Sequence, residues 1–273
     1  MTRLPVLKTY KLYIGGKFPR SESGRSYPVS SPSGVVNAAQ GSRKDVRDAV
    51  VAARAAFGGW SRATAYNRGQ VLYRVAELLE GRRAEFGRLA PDVDEAIDRW
   101  VWYAGWTDKI AQVAGNANPV AGPYFNLSVP EPTGVVGILA PQSSPLLGLV
   151  SVLAPAILTG NTAVVIASES SPLAAVALAE VLATSDVPGG VVNIVTGRTA
   201  ELAPPLAGHL DVNALDLAGA PVDLAASLEG LAAENLKRVV RRADPEPDWT
   251  AEPALDRVLA FTETKTVWHP IGV

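Results

Sequence analysis

The second half of the chain alternates between short apolar strand patterns and helical patterns, and this rhythm restricts the fold more than any other feature. Strand patterns cover residues 134–141, 162–168, 191–197 and 213–219. Helical patterns follow them at 145–160, 172–185, a short stretch to about 207, and 222–242. Short apolar strands that alternate with helices are typical of a parallel sheet covered by helices on both faces. The sequence therefore predicts an α/β fold with right-handed crossovers.

The first part of the chain predicts a hairpin and several helices. The run YIGGKF indicates a hairpin about Gly15-Gly16. Residues 21–34 are rich in Ser, Pro and Gly, and we expect a loop with short extended pieces. A helix is predicted from Ser42, a typical N-cap, with Asp45 completing a capping box. Two further helices are predicted over 66–89 and 93–113, the second with aromatic residues that we expect to pack in the core.

Two segments predict strands outside the parallel sheet. Residues 115–133 hold four prolines around an alternating run at 124–129, which indicates an edge strand or a protruding ribbon. The last segment, RVLAFTETKTVWHPIGV, also alternates and predicts a C-terminal strand. It has no neighbouring strand in sequence, so it must join another sheet or another chain.

Composition excludes several kinds of chemistry. The 273 residues contain no cysteine, which excludes disulfides, thiolate metal sites and a thiol nucleophile. Only two histidines occur, His209 and His269, so a metal site built from several histidines is not expected. The net charge of -2 gives no indication of a nucleic-acid partner. No apolar stretch is long enough for a membrane span and no signal peptide is evident, so we expect a cytoplasmic protein.

Several motifs, in a fixed order, resemble the NAD(P)-binding half of the aldehyde dehydrogenase superfamily. They are GVVGILAPQSSPLLGLVSVLAPAILTGNTAVVIASESSP, LAEVLATSDVPGGVVNIVTG and HLDVNALDLAGA, preceded by YIGGKF, DVRDAVVAARAAFGGW and RGQVLYRVAELLEGRR. The ribbon at 115–133 resembles the family's oligomerisation hairpin, and KTVWHPIG resembles its C-terminal tail. The resemblance extends over residues 10–241 and 256–272 and implies a Rossmann-like sheet. It is strongest to the non-catalytic second module of two-module aldehyde dehydrogenases.

This chain departs from the family pattern at the positions that would bind substrate and cofactor. Ser143 stands where the family has an oxyanion-hole asparagine. Ile166 stands where a lysine would contact the adenosine ribose. Ala220 replaces a serine at the pyrophosphate position, and Pro221 after it has no N–H. Thr199 stands at the second glycine of the turn after the third strand.

Four residues remain as candidate cofactor contacts: Ser168, Glu169, Gly197 and Gly219. The resemblance implies that Ser168 and Glu169 would meet the ribose, at a strand end where open α/β sheets bind ligands. The alternative is a solvated loop carboxylate beside a capping serine. Gly219 with Ala220 and Pro221 could begin an anion-accepting helix, or form a plain turn. We expect no bound cofactor, with NAD or NADP possible but weakened.

Other polar groups have structural interpretations. We expect structural roles for His209 and for His269, which is predicted at an interface or on the surface. The cluster Lys237-Arg238-Arg241-Arg242 could attract an anion, but solvated cations at a helix end are the more common explanation.

The resemblance further implies that the catalytic domain, with its general base and cysteine nucleophile, is missing between residues 242 and 256. We expect a Rossmann-like domain over 1–114 and 134–242, an oligomerisation hairpin and tail at 115–133 and 256–273, and a linker at 243–255.

The predicted function is a catalytically inactive, structural or regulatory subunit that forms a homo-oligomer, or a hetero-oligomer with an active aldehyde dehydrogenase. The alternatives are an oxidoreductase subunit that retains nucleotide binding and a stand-alone nucleotide-binding module. No nucleic-acid or membrane partner is expected.

Overall fold

A computed structural model describes residues 8–272 and divides them among ten strands and ten helices. The strands are β1 (Ser26–Ser31), β2 (Gly34–Ala39), β3 (Asn116–Ala117), β4 (Tyr124–Pro132), β5 (Val135–Leu139), β6 (Thr162–Ile166), β7 (Val192–Val195), β8 (Ala214–Asp216), β9 (Arg238–Val240) and β10 (Thr262–Pro270). The helices are α1 (Arg43–Arg62), α2 (Ala65–Gly81), α3 (Arg83–Phe86), α4 (Val93–Trp106), α5 (Ile110–Ala114), α6 (Leu147–Leu158), α7 (Leu173–Leu182), α8 (Thr199–Ala207), α9 (Val222–Ala233) and α10 (Asp256–Ala260).

The predicted parallel sheet is confirmed and contains one strand more than expected. Its order is β7-β6-β5-β8-β9, and every pairing is parallel. The predicted helix over 222–242 was wrong beyond Ala233, because Leu236 takes a left-handed backbone conformation (φ 57°) that ends the helical path. The chain then enters β9 beside β8. The order reverses between β5 and β8, which makes their carboxyl ends the switch point of the sheet.

Alternate residues of the sheet pack against different helices. Val136 and Ile138 of β5 belong to the same apolar cluster as residues of α4, α6 and α7. Val135 and Leu139 belong to a second cluster, with residues of α1, α8 and α9. Both faces of the strands are buried, which explains their almost continuous apolar sequence.

The predicted start of α1 is confirmed. The Ser42 hydroxyl accepts the N–H groups of Lys44 and Asp45, while the Asp45 carboxylate accepts the N–H of Ser42 at 2.8 Å. The predicted turn at Gly15-Gly16 is present as a tight pairing of Ile14 with Lys17. The predicted helices 66–89 and 93–113 are each interrupted, giving α2 with α3 and α4 with α5.

The segment 21–34, predicted as a loop with short extended pieces, contains a regular strand of six residues. Residues Ser26–Ser31 form β1, which pairs antiparallel with β2. Tyr27 and Val29 point inward and are buried, so an alternating apolar pattern was present among the serines and prolines. This hairpin lies beside the carboxyl end of the parallel sheet, where Tyr27–Ser30 line a cleft.

The C-terminal strand joins the predicted ribbon. β10 pairs antiparallel with β4 over nine residues, from Thr262 opposite Pro132 to Pro270 opposite Tyr124. The short β3 covers the other edge of β4, so the order is β10-β4-β3. Among residues 8–272, no helix has the length and apolar character needed to cross a membrane.

Candidate functional site

An open cleft of about 560 Å³ lies at the carboxyl end of the parallel sheet. It is bordered by the β1–β2 hairpin, the segment after β6, and the first turns of α8 and α9. Its lining includes Tyr27, Gln142, Glu169, Arg198, Thr199, Pro221 and Asp223. The cleft therefore lies where open α/β sheets bind their ligands.

Glu169 lines this cleft, but the protein's own groups occupy its carboxylate. One oxygen accepts a hydrogen bond from the Arg198 guanidinium at 2.8 Å. The other accepts the backbone N–H of Thr199 at 2.8 Å, at the first residue of α8. A carboxylate at a helix N-terminus is stabilised by the helix dipole and the unpaired amides there. Glu169 thus caps α8, and a ribose would have to displace these two donors.

The electrostatics of the cleft follow from this ion pair. Partial burial alone raises the pKa of the Glu169 carboxyl, but the hydrogen bonds from Arg198 and Thr199 and the charge of Arg198 outweigh it, so the pKa lies below its usual value. The Arg198 guanidinium also lies 5.2 Å from the centre of the Tyr27 ring. Burial, followed by the nearby Glu169 charge, raises the pKa of Tyr27 to about 12. Tyr27 is therefore a neutral wall of the cleft at physiological pH.

Ser168, the second predicted ribose contact, faces the interior. It is 2% exposed, and its hydroxyl donates to the Gln142 side-chain oxygen at 3.3 Å and accepts the Ser171 N–H at 3.2 Å. The same Gln142 oxygen accepts the Glu169 N–H at 2.9 Å. Ser168 and Gln142 together tie the segment after β6 to the segment after β5.

The two candidate glycines allow close backbone packing. Gly197 has φ +149°, and a Cβ on it would lie 3.0 Å from the Gly41 nitrogen. A Cβ on Gly219 would lie 1.9 Å from the Ala140 carbonyl oxygen, at the end of β5. The structure brings Gly197 and Glu169 to the same side of the sheet, because Arg198 and Thr199 follow Gly197 directly. Gly219 precedes the start of α9, whose Pro221 and Asp223 line the cleft.

The start of α9 offers few groups to an anion. Ala220 is 3% exposed, and no side chain caps the helix. Asp223 adds a carboxylate to the first turn. The described charged side chains that line this cleft are therefore two carboxylates, those of Asp223 and Glu169, and one guanidinium, that of Arg198. Within residues 8–272, no group of three or more His, Cys, Asp or Glu side chains is arranged to hold a metal ion.

Ser143, just beyond the end of β5, is exposed, but its hydroxyl is bonded to another segment of the chain. Its hydroxyl donates to one carboxylate oxygen of Glu246 at 2.7 Å. That carboxylate oxygen also accepts the Trp249 indole N–H at 2.9 Å. Glu246 and Trp249 belong to the segment that was predicted as a linker. That segment therefore contacts the residue that the sequence resemblance places at an oxyanion-hole position.

A buried ion pair at the end of β8 was missed by the sequence reasoning. Asp216 is fully buried and pairs with Arg257 of α10, while its other oxygen accepts the Ala218 N–H at 3.0 Å. Burial raises the pKa of the Asp216 carboxyl, and the Arg257 charge opposes that rise. An aspartate inside the apolar run Ala214–Leu217 was the available signal, since a buried charge needs a partner.

The remaining charged candidates have local partners. The N–H of Asp211 donates to His209 Nδ1 at 3.1 Å, and burial lowers the pKa of this imidazole. His269 is exposed on β10 opposite Phe125. The basic cluster at 237–242 was predicted to lie at a helix end, and this prediction was wrong. Arg238 lies in β9 and pairs with Glu263 at 2.6 Å, and Arg241 pairs with Glu229 at 3.1 Å.

Comparisons with known proteins agree with this architecture. A model of the "Aldehyde dehydrogenase family" matches residues 18–242. The chain is 32% identical to cytosolic aldehyde dehydrogenase 1 of Elephantulus edwardii over 88% of its own length and 51% of that protein. It is 31% identical to omega-crystallin of Enteroctopus dofleini over 86% of its own length and 51% of that protein. The chain spans about half the length of the curated relatives that it matches.

A solved structure shows the same fold. The NAD+ complex of aldehyde dehydrogenase from Bacillus cereus superposes on this chain with a TM-score of 0.79. The sequence identity is 27%, and the match covers 85% of this chain and 50% of that one.

Proposed function

Because the chain belongs to the aldehyde dehydrogenase family, we propose that it is a non-catalytic assembly subunit, which forms oligomers with itself or with an active aldehyde dehydrogenase. One observation carries this proposal, the exposed apolar face of the β4–β10 ribbon. Phe125, Leu127 and Val129 alternate along β4, and Val267 lies directly opposite Leu127. All four side chains are exposed, by 38% to 59%. We call this set the ribbon face.

The two faces of β4 differ in a way that supports a binding role. Asn126, between the exposed residues, points to the other side and is only 4% exposed. The chain therefore covers the other face at Asn126, whereas Thr264 and Trp268 of β10 are exposed on that face. Covering the exposed part of each side chain of the ribbon face contributes about 1 kcal/mol. β10 is also the outer strand of its sheet among the described residues, so its free edge can accept another strand.

The strand-end cleft supports the non-catalytic part of the proposal. The 273 residues contain no cysteine, and the carboxylate of Glu169 is held by Arg198 and the start of α8. A thiohemiacetal needs a thiolate nucleophile. These residues supply no thiolate, so aldehyde oxidation by that route would need a nucleophile from outside them.

Val267→Lys tests the assembly role, because it places a charge at the centre of the ribbon face. Thr264→Lys is the matched control, since Thr264 is exposed on the opposite face of the same strand. Light scattering coupled to gel filtration should give the wild type and Thr264→Lys a multiple of 28.6 kDa. Val267→Lys should shift toward 28.6 kDa. Equal masses for all three proteins would argue against the ribbon face as the contact.

A second candidate function is nucleotide binding, which the 560 Å³ cleft beside Glu169 favours. A volume of this size falls within the usual range for small-molecule sites. The NAD+ of the Bacillus cereus complex makes that dinucleotide the first probe. Calorimetry with NAD+ and NADP+ tests this candidate. Absence of heat up to millimolar ligand would eliminate it, and Glu169→Gln should abolish any binding that is found.

A further inference from the structure

Residues 243–257, here called the strap, cross the switch point of the parallel sheet. The strap follows β9, which lies at the sheet edge beside β8. It leads to β10, which pairs with β4, the strand that precedes β5. The chain must therefore pass β8 and β5 between its two ends. These are the neighbouring strands whose carboxyl ends form the ligand crevice of an open α/β sheet.

The strap is anchored at the carboxyl ends of both of these strands. Beyond β5, Ser143 donates to Glu246 at 2.7 Å. At the last residue of β8, the fully buried Asp216 pairs with Arg257. The Arg257 guanidinium also lies 5.7 Å from the centre of the Trp249 ring, which links the two anchors within the strap.

A third anchor comes from the helix layer below. Arg99 of α4 is 8% exposed, and its guanidinium donates to the carbonyl oxygens of Trp249 at 3.0 Å and Ala251 at 2.8 Å. A third bond goes to the Ser151 hydroxyl of α6 at 2.9 Å. A buried guanidinium is costly unless its donors are satisfied, and here the strap backbone satisfies two of them. A loose tether between two strands would not need a buried arginine.

Gln142 and Ser143 are adjacent in sequence, but their side chains belong to two different parts of the strand-end region. Gln142 lines the open cleft beside Glu169, whereas Ser143 is bonded to the strap. A dinucleotide bound in such a sheet extends across the crevice at the switch point. The strap contacts the ends of both switch-point strands, through Glu246 at Ser143 and Arg257 at Asp216.

We propose that the strap is a built-in occupant of the crevice, which restricts the open cleft to a nucleotide of mononucleotide size and excludes a dinucleotide. This inference rests on the nucleotide-binding candidate given above. Arg198 is the one cation among the described side chains that line the cleft, so a phosphate of a nucleoside diphosphate would compete with Glu169 for its guanidinium. The strap residues that contact Ser143 and Asp216 then determine ligand size.

Limited proteolysis tests whether the strap is docked. Chymotrypsin cleaves after Trp249, whose carbonyl is held by Arg99. Release of fragment 250–273, followed by mass spectrometry, should be roughly 100-fold slower than cleavage of a synthetic 243–257 peptide, because cleavage requires local opening. Arg99→Met should accelerate it. Glu246→Ala leaves the core untouched and should also accelerate this cleavage. Glu252→Ala changes an exposed residue of the strap and should leave the cleavage rate unchanged. Wild-type cleavage at the peptide's rate would overturn the proposal.

Calorimetry with ADP and NAD+ tests the effect on ligand size. Wild type and Glu252→Ala should bind ADP at least about tenfold more tightly than NAD+, because the strap leaves no room for the second half of the dinucleotide. Glu246→Ala should shift the ratio toward NAD+ by about tenfold, because the crevice opens. Binding of NAD+ by the wild type as tightly as ADP, or more tightly, would overturn this inference alone. Binding of neither nucleotide by any variant would overturn the nucleotide-binding candidate and this inference together.

Discussion

Replacement of Arg257 by methionine removes the partner of a carboxylate that has no access to water. Asp216 is fully buried, and after the substitution only the Ala218 N–H still hydrogen-bonds its side chain. Loss of one member of a buried ion pair costs about 3–5 kcal/mol, because the other charge stays in a medium of low polarity. We expect the free energy of unfolding at pH 7.5 to fall by about that amount.

Asp216→Asn should cost less than Arg257→Met. The amide keeps the shape of the carboxylate and an oxygen for the Ala218 N–H, while the Arg257 side chain is 20% exposed and can reach solvent. We expect a loss of about 1–2 kcal/mol. The double variant should be more stable than the sum of the single losses predicts, because no uncompensated charge remains. Arg238→Met breaks the exposed pair with Glu263 and is the control, with an expected change of about 0–1 kcal/mol.

The loss in free energy of unfolding caused by Arg257→Met should depend on pH. Burial already raises the folded-state pKa of Asp216, and removal of Arg257 raises it further, since the opposing charge is lost. A carboxyl whose folded pKa is raised contributes less stability as pH rises from the unfolded pKa through the folded one. The loss should therefore be smaller at pH 5 than at pH 7.5. Urea unfolding followed by circular dichroism at both values measures it. A loss no larger than that of Arg238→Met, or equal at both pH values, would refute the reasoning.

Four further substitutions test the site and its support. Gly219→Ala should destabilise the protein by about 1–3 kcal/mol, because its Cβ would lie 1.9 Å from the Ala140 oxygen. Gly230 of α9 has open space where its Cβ would lie, so Gly230→Ala should instead stabilise the protein by about 0.5–1 kcal/mol. Ser42→Ala should lower the free energy of unfolding by about 1 kcal/mol through loss of the α1 cap. Glu169→Gln should cost less than about 1 kcal/mol, since its ion pair is partly exposed, and the loss should disappear as pH falls through the lowered pKa of Glu169. Thermal or urea unfolding checks all of these values.

Local signals made much of the fold predictable. The capping box at Ser42 and Asp45 depends on residues three apart, and the apolar runs of β5 and β6 follow from burial on both faces. β9 was missed because Arg238 continues a basic run that matches a helix end, and the turn before it is made by Leu236, which rarely takes a positive φ.

The candidate site was less predictable because its contacts join distant segments. Glu169 was identified at a strand end, but its partner Arg198 follows a different strand. Asp216 and Arg257 lie on separate elements, and the sequence around either residue does not identify the other as its partner. The predicted linker likewise gave no sign in its prolines and acids that Arg99 holds its backbone.

The native mass of the chain, alone and co-expressed with a full-length, cysteine-bearing aldehyde dehydrogenase, tests the assembly role most directly. Native mass spectrometry should show a multiple of 28.6 kDa for the isolated chain, or a complex whose mass is the sum of both proteins. Val267→Lys should lose that species, while Thr264→Lys should keep it. A single species at 28.6 kDa in both preparations, at every concentration measured, would contradict the proposal.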